Sequence, residues 1–391
     1  QILIKASNGA SDFGNKFGQP LICGSVLTFE HKEGDEKYAY DKVIMLAGGV
    51  GYGTKRDCLK KEPKKGNKVV VVGGDNYRIG LGGGSVSSVD TGRYSNGIEL
   101  NAIQRANPEM QKRAYNLVRA LCEEDVNPVV SIHDHGSAGH VNCLSELVEE
   151  CGGQIDMTKL PIGDKTLSSK EIIANESQER MGLLIDEKHI EHVRKIAERE
   201  RAPLYVVGET TGDAHFSFVQ GDGVKPFDLD VAQMFGHSPK TYMRDNTVER
   251  HYENVTYTTM ENGKLRIENC DLHKRQTANN DGNHNSQLST FNSQLDEYVG
   301  RVLQLEAVAC KDWLTNKVDR SVTGKIARQQ CQGRLQLPLS DCGVVALDYR
   351  GRKGIATALG HAPQAGLASP EAGSVLSVAE SLTNIVWAPL E

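Results

Sequence analysis

Residues 68–90 read KVVVVGGDNYRIGLGGGSVSSVD. The four successive valines Val69 to Val72 are stiff at χ1 and suit a strand covered on both faces better than a helix. They run into a loop holding Gly73, Gly74, Gly80, Gly82, Gly83 and Gly84, where the backbone can take positive φ and approach a ligand closely. Successive N–H groups in such a loop can converge on a phosphate; Ser85, Ser87 and Ser88 add hydroxyl donors, and Arg78 offers a matching charge. Neither common glycine motif fits. No Lys follows the glycines as a P-loop requires, and counting G-x-G-x-x-G from Gly80 puts Ser85 at the sixth position, with no strong helix pattern opening there. By itself the loop favours tight turns over an anion cradle. Its neighbours shift that balance.

Outward from the loop, strands and helices alternate. Asn107, Pro108 and Glu109 supply an N-cap, Pro at N1 and an acid in the first turn, and Met110, Ala114, Leu117, Val118 and Leu121 share a helical face. Pro128 to Ile132 reads as a strand delivering His133, Asp134 and His135, and Leu144, Leu147, Val148 and Cys151 mark a helix closed by Gly152 and Gly153. Ser168 and Glu171 form a capping box ahead of the polar run Asn175 to Arg180 and a strand Met181 to Ile185. Helix His189 to Glu200 and strand Leu204 to Val207 follow, giving an α/β (α+β) class with polar clusters at strand ends, where ligands bind. The Lys-rich 60–68 segment reads as a solvated connector with a domain boundary near residue 65. Residues 265–295 are rich in Asn, Ser and Gln and read as an insertion or linker. A helix opened by Ser369, Pro370 and Glu371 is expected to bury Ala372, Val375, Leu376, Ala379, Leu382 and Ile385.

At 391 residues the chain has length for two or three domains. A net charge of −6 with mixed signs argues against a nucleic-acid binder. The nine cysteines are scattered and never spaced C-x-x-C, so they read as buried thiols in a reducing cytosol. No apolar run of transmembrane length and no signal peptide is present, which points to an intracellular protein of the cytoplasm without membrane contact. Gln at residue 1 and the stop at Glu391 read as the ends of a piece of a longer polypeptide.

Three constellations could carry chemistry. His133 and His135 share one strand face, with His140 five residues on; this invites a zinc-dependent hydrolase, against which stands a purely structural reading of the histidines. Asp134, on the other face, is better placed as a hard oxygen ligand for magnesium. The run Asn175-Glu176-Ser177-Gln178-Glu179-Arg180 is either an exposed loop or a reader of a sugar-and-amide ligand. Asp341 with Glu380 and Asn384, one helical turn apart, could form an all-oxygen magnesium site, although E-x-x-x-N on a helix is ordinary. No Ser-His-Asp or Cys-His nucleophile arrangement occurs.

With these pieces in order, the chain closely resembles the phosphoribosylformylglycinamidine synthases, which amidate formylglycinamide ribonucleotide with ATP in purine biosynthesis. The resemblance rests on FGQPLICGSVLTFE, IMLAGGVG, VVGGDNYRIGLGGGSVSS, IQRANPEMQKR, NPVVSIHDHGSAGH, ANESQERMGLLI, RERAPLYVVGE, VTGKIARQQ, PLSDCGVV and AESLTNI, in family order and covering nearly all of the chain outside the insertion. It implies tandem A and B domains like those of aminoimidazole ribonucleotide synthetase: 1–65 the end of a first A domain, 66–238 a first B domain, 239–297 a linker, and 298–391 part of a second A domain. It further implies that Gln104, Glu176, Ser177 and Gln178 bind substrate, that Asp134, Asp341, Glu380 and Asn384 hold Mg2+, and that Gly82, Gly83, Gly84 and Ser85 receive a phosphate. ATP would be a substrate, with an ADP retained in the intact protein. The family's catalytic histidine, second B domain and glutaminase domain fall outside these residues, so the piece alone is expected to be inactive and is open to a second reading as a nucleotide-retaining scaffold. Ser137 and Ser340 depart from the small residues usual at their positions.

Overall fold

A computed structural model describes residues 2–19, 23–40, 44–90, 92–105, 107–236, 239–242, 322–338 and 340–388, with short pieces between 256 and 308. The 270–295 part of the predicted insertion, Cys270 and Cys310 lie outside the described residues. The chain forms two compact units: one gathers residues 12–20 and 50–239, the other 1–11, 21–49 and 240–391.

The first unit is built on the valine run. Strand β1 (Lys68–Val72) leads to α1 (Gly83–Ser87), α2 (Asn96–Ala102), α3 (Pro108–Cys122), β2 (Val129–His135), α4 (Gly139–Leu147) and β3 (Gly153–Asp156). Then come α5 (Ser169–Ile173), β4 (Ser177–Ile185), α6 (Ile190–Glu200), β5 (Leu204–Thr210), β6 (His215–Val219) and β7 (Phe227–Asp230). The seven strands form one sheet in the order β7-β6-β3-β5-β1-β4-β2, with only the β3 and β6 pair parallel. Strand β1 is therefore central, flanked by β4 and β5, both antiparallel to it.

Alternation explains why four valines can be consecutive. Val69 and Val71 point into one core with Leu144, Leu147, Ile172 and Phe216, and Val70 and Val72 into a second with Leu117, Leu121, Val193 and Ile196. All four valines are fully buried, each contributing about 1.5–3 kcal/mol. Helices α4 and α5 cover the first face, α3 and α6 the second. The predicted caps form: Asn107 Oδ1 accepts from Met110 N at 3.0 Å, and Ser168 and Glu171 make a reciprocal capping box.

Several expectations are corrected. A five-residue helix, α1, opens inside the glycine loop behind Gly82, which has a left-handed φ of 70° and lets the chain turn into it. The Lys-rich connector keeps Lys60, Lys61, Lys64 and Lys65 exposed as expected, but its backbone is tied to the sheet: Lys61 N donates to Val130 O at 3.0 Å, and Thr210 Oγ1 donates to Lys64 O at 2.5 Å. Cys58 is exposed and Cys122 and Cys151 are half-buried, because they lie in loops and at a helix end, whereas Cys143, Cys331 and Cys342 are buried as expected.

In the second unit, strands 23–27 and 44–48 pair antiparallel, and β8 (Ile326–Arg328), β9 (Cys342–Ala346) and β10 (Gly354–Ala358) form a three-stranded sheet with β9 central. Helices α7 (Pro363–Ala368) and α8 (Pro370–Ile385) follow, with Ser369 Oγ accepting from Ala372 N as the N-cap of α8. The expected buried stripe of α8 is largely uncovered: Val375 and Leu382 are 62% and 60% exposed, and the buried residue is Gly373, packed against Gly366 of α7. Close helix-to-helix contact at a glycine turns the wider apolar face outward. Among the described residues no helix is long and apolar enough to cross a membrane.

Candidate functional site

The polar run after α5 is not an exposed loop. Asn175, Glu176, Ser177, Glu179 and Arg180 are all at most 5% exposed, and from Ser177 onward the run is part of strand β4, which starts four residues before the expected Met181. The run is sewn to the glycine loop. Asn175 Nδ2 donates to Tyr77 O at 2.8 Å and Ile79 O at 2.9 Å, and Glu176 N donates to Gly80 O at 2.8 Å. At Gly80, φ is +77° and a Cβ would collide with the Glu176 carbonyl, so the loop can lie this close only with glycine there.

Glu176 is the hub. Its Oε1 accepts from Gly84 N at 3.0 Å and from Ala138 N at 3.1 Å, and its Oε2 accepts from Gln104 Nε2 at 3.2 Å. The N–H of Gly84, one of the predicted phosphate donors, thus already faces a protein carboxylate. Gly82 and Gly83 are half-buried beside it, and Ser85 is exposed with its N–H donating to Gly82 O at 3.1 Å. Ser137, noted as a departure, sits against Gly84 on the same loop edge. Ser177 Oγ is buried without a partner among the described residues. The side chain of Gln178 lies outside the described residues.

Behind the hub lies a network that the sequence did not announce. Arg180 is fully buried; its Nη1 donates to Asn76 Oδ1, and its Nη2 donates to Asn175 O and Oδ1, both at 2.6 Å. Burial pushes its guanidinium down to about 10, still charged at neutral pH. His140 Nε2 lies 3.1 Å from Asn76 Oδ1, and His140 Nδ1 is 2.9 Å from His135 Nε2. Burial, and then the Arg180 charge, holds both imidazoles well below the usual histidine range. The signal available in the sequence was an arginine and an asparagine set among residues that must be buried. Beside the network, Arg105 Nε donates to Glu179 Oε1 at 3.0 Å, and its guanidinium stacks 4.7 Å from the Tyr77 ring centroid. Arg78, expected to offer its charge to an anion, is instead held by Glu171, Asp164 and Thr166.

The histidines do not converge on a metal. His133 and His135 both reach toward α4 and so share a face as expected, but they bond to different partners there, Glu146 and His140. His133 Nε2 meets Lys60 Nζ at 2.6 Å; the lysine can only donate, so Nδ1 carries the hydrogen and donates to Glu146 Oε2 at 2.7 Å. His135 and His140 bond to each other instead. Among the described residues no group of three or more His, Cys, Asp or Glu could hold a metal ion, and the zinc-hydrolase reading is withdrawn. Asp134 presents an exposed carboxylate at the end of β2, one oxygen accepting from Gly136 N at 2.7 Å.

In the second unit, Asp341 at the start of β9 lies near Glu380 of α8. Partial burial, and then the Glu380 charge, push the Asp341 carboxyl above the usual range. Glu380 Oε2 accepts from His361 N at 2.7 Å, and Asn384 Nδ2 donates to Leu359 O at 3.0 Å, which turns its amide oxygen elsewhere. Two mutually repelling carboxylates with an amide oxygen one turn away suit a magnesium ion held jointly with phosphate oxygens, and do not suit a closed all-protein cage. Ser340, the other departure, is buried; its Oγ accepts from Arg328 Nε at 3.1 Å and donates to Cys342 O at 3.2 Å.

Residues 64–220 match the family model described as AIR synthase related protein, C-terminal domain, and residues 310–391 match the FGAR-AT PurM_N-like domain. A phosphoribosylformylglycinamidine synthase of Dictyostelium discoideum is 38% identical over 100% of this chain and 27% of its own length. One of Homo sapiens is 36% identical over 99% of this chain and 28% of its own. The chain thus spans just over a quarter of the length of these relatives. Among solved structures, PurLQS from Thermotoga maritima superposes with a TM-score of 0.63 at 17% identity, over 100% of this chain and 53% of that one. T. maritima PurL complexed with FGAR gives 0.61 at 16%, over 99% and 53%. At these identities the superpositions speak for the fold: AIR-synthase-related domains in an α/β arrangement.

Proposed function

We propose that this chain, a segment of the phosphoribosylformylglycinamidine synthase family, is the middle of the synthetase part of such an enzyme. The complete protein is a ligase that forms a C–N bond, converting formylglycinamide ribonucleotide (FGAR) to formylglycinamidine ribonucleotide with ATP and glutamine-derived ammonia. The observation that carries this reading is the meeting of four motifs at one carboxylate. Gly84 of the glycine loop, Gln104 of IQRANPEMQKR and Ala138 of NPVVSIHDHGSAGH all bond to Glu176 of ANESQERMGLLI. Separate motifs that fold onto a single buried group argue for one site rather than for four local turns.

In this reading residues 66–238 are a first B domain in which Gln104, Glu176, Ser177 and Gln178 surround the substrate and Gly82, Gly83, Gly84 and Ser85 border its phosphate end. Residues 298–391 belong to a second A domain. The similarity of fold to T. maritima PurL, described in complexes with FGAR and with ATP, supports both ligands. Asp134 on one unit and Asp341, Glu380 and Asn384 on the other would hold Mg2+, which when bound neutralises phosphate charge. The substrate's amide oxygen would attack the γ-phosphate of ATP, releasing ADP; ammonia would then add to the activated carbon and phosphate would leave. The glutaminase and second B domains would be supplied by the rest of the same polypeptide, in the cytoplasm, without nucleic acid or membrane.

Calorimetric titration with FGAR, with and without Mg-ADP, tests the assignment. Binding abolished by Gln178→Ala is expected, and in the complete enzyme the same change should raise KM for FGAR more than KM for ATP. Nucleotide binding without FGAR binding would instead identify the segment as a nucleotide-retaining scaffold.

A further inference from the structure

Backbone N–H groups only donate, so the bonds from Gly84 and Ala138 fix Glu176 Oε1 as an acceptor. The other oxygen, Oε2, faces the Gln104 amide at 3.2 Å. An ionised carboxylate has no hydrogen to give, so only the NH2 end of that amide can meet it. The Gln104 carbonyl oxygen is therefore turned away from Glu176, and among the described residues it has no hydrogen-bond partner. Glu176 is 3% exposed with both oxygens engaged, whereas Gln104 is only half-buried. Of the two, Gln104 has the atom to offer a ligand. Gly83 packs closely against the Glu176 carboxylate: a Cβ on Gly83 would strike its Oε2 and the Ala102 carbonyl.

We infer that Glu176 is a positioning residue that locks the orientation of the Gln104 amide, so that Gln104 reads a hydrogen-bond donor on the ligand through its carbonyl oxygen. The inference rests on the reading of this site as the FGAR site. It gives Gln104 a carbonyl oxygen with which to recognise an N–H of the formylglycinamide arm or a ribose hydroxyl. It also moves Glu176 from contacting substrate to holding the residue that does.

An amide exchange tests the orientation. In Glu176→Gln, the side-chain oxygen can still accept from Gly84 and Ala138, which leaves the new NH2 facing Gln104. Gln104 must then rotate by half a turn and present its own NH2 to a ligand donor. In the complete enzyme KM for FGAR should rise about tenfold or more, with KM for ATP within about twofold, since one hydrogen bond is replaced by two opposed donors. The swap Glu176→Gln with Gln104→Glu rebuilds an amide-to-carboxylate bond with an acceptor oxygen still facing the ligand, and should bring KM back to within about threefold of the parent. Gln104→Met removes the acceptor without touching the backbone bonds to Glu176; it should raise KM for FGAR similarly at an unchanged Tm. An unchanged KM in Glu176→Gln, or a swap that folds with the parental Tm yet recovers nothing, would overturn the inference while FGAR binding by the parent left the site assignment standing. Failure of the parent to bind FGAR would remove the assignment and the inference together.

Discussion

Gly182, in the middle of β4, sets how closely α4 approaches the sheet, and through α4 where Ala138 meets Glu176. It pairs with Val71 on one side and His133 on the other. A Cβ there would lie 2.5 Å from Cys143 Sγ, 3.0 Å from Leu147 Cδ1 and 3.3 Å from Leu144 Cδ2, all on the buried face of α4. Overpacking of this kind costs about 1–3 kcal/mol. The smaller entropy loss of alanine returns about 0.5–1 kcal/mol. Gly182→Ala should therefore destabilise the unit by about 1–2 kcal/mol, a factor of about 5–30 in the open population. Cys143 is itself the probe: its thiol is fully buried and pushed up by that burial, so it reacts only when α4 lifts. Native-state thiol labelling resolved by mass spectrometry should accelerate about 5–30-fold at Cys143, with the exposed Cys58 as internal control. In a Cys143→Ala background the nearest obstruction is gone. Hydrogen exchange across Ser177–Ile185 should then change little on adding the alanine. Labelling of Cys143 less than about threefold faster would refute the close seating of α4 on Gly182.

Two other perturbations follow from the geometry. Arg105→Met leaves the buried Glu179 carboxylate without its cation and should cost about 2–4 kcal/mol in chemical denaturation, with most of the loss recovered in the double change with Glu179→Gln; an additive double change would show that the pair is not coupled. His215 is held between Asp230, at 2.9 Å, and Asp228, at 2.5 Å, and hydrogen bonding to Asp230 above all raises its pKa above the usual histidine value. A raised folded-state value stabilises the β6–β7 edge fully below about pH 6.5, and that contribution is lost as pH rises through the folded value. NMR titration should show the His215 midpoint falling in Asp230→Asn; an unmoved midpoint would contradict the clamp.

The fold was legible where local chemistry and burial agree. Val69 to Val72, the Asn107 cap and the Ser168–Glu171 box each carry their structural consequence in a few adjacent residues, and each forms. The polar run 175–180 was harder because a sequence displays polarity but not what surrounds it. Buried arginine is rare enough that exposure is the natural expectation, and besides the nearby Asn175 it takes partners from Asn76 and His140, up to a hundred or so residues away, to make burial tolerable. The zinc reading of the histidines failed for a different reason: alternation puts His133 and His135 on one face, but it does not say what α4 sets against each, Glu146 for one and His140 for the other. On α8 the apolar stripe was correctly seen as apolar, but periodicity says which face is greasy, not whether anything in the chain covers it.

The sheet order also dictates a timetable. The central strand, β1, is made early, yet its two partners, β4 and β5, lie roughly a hundred or more residues downstream, so its hydrogen bonds are among the most non-local in the unit. During synthesis the four valines and the glycine loop must emerge and wait, kept from pairing wrongly, until Leu204–Thr210 has been delivered. The hub at Glu176 then closes as a late event. A nascent chain halted before residue 204 would hold every residue of that hub and still lack one side of the strand that supports it, which makes this stretch the point where chaperone dependence should be greatest.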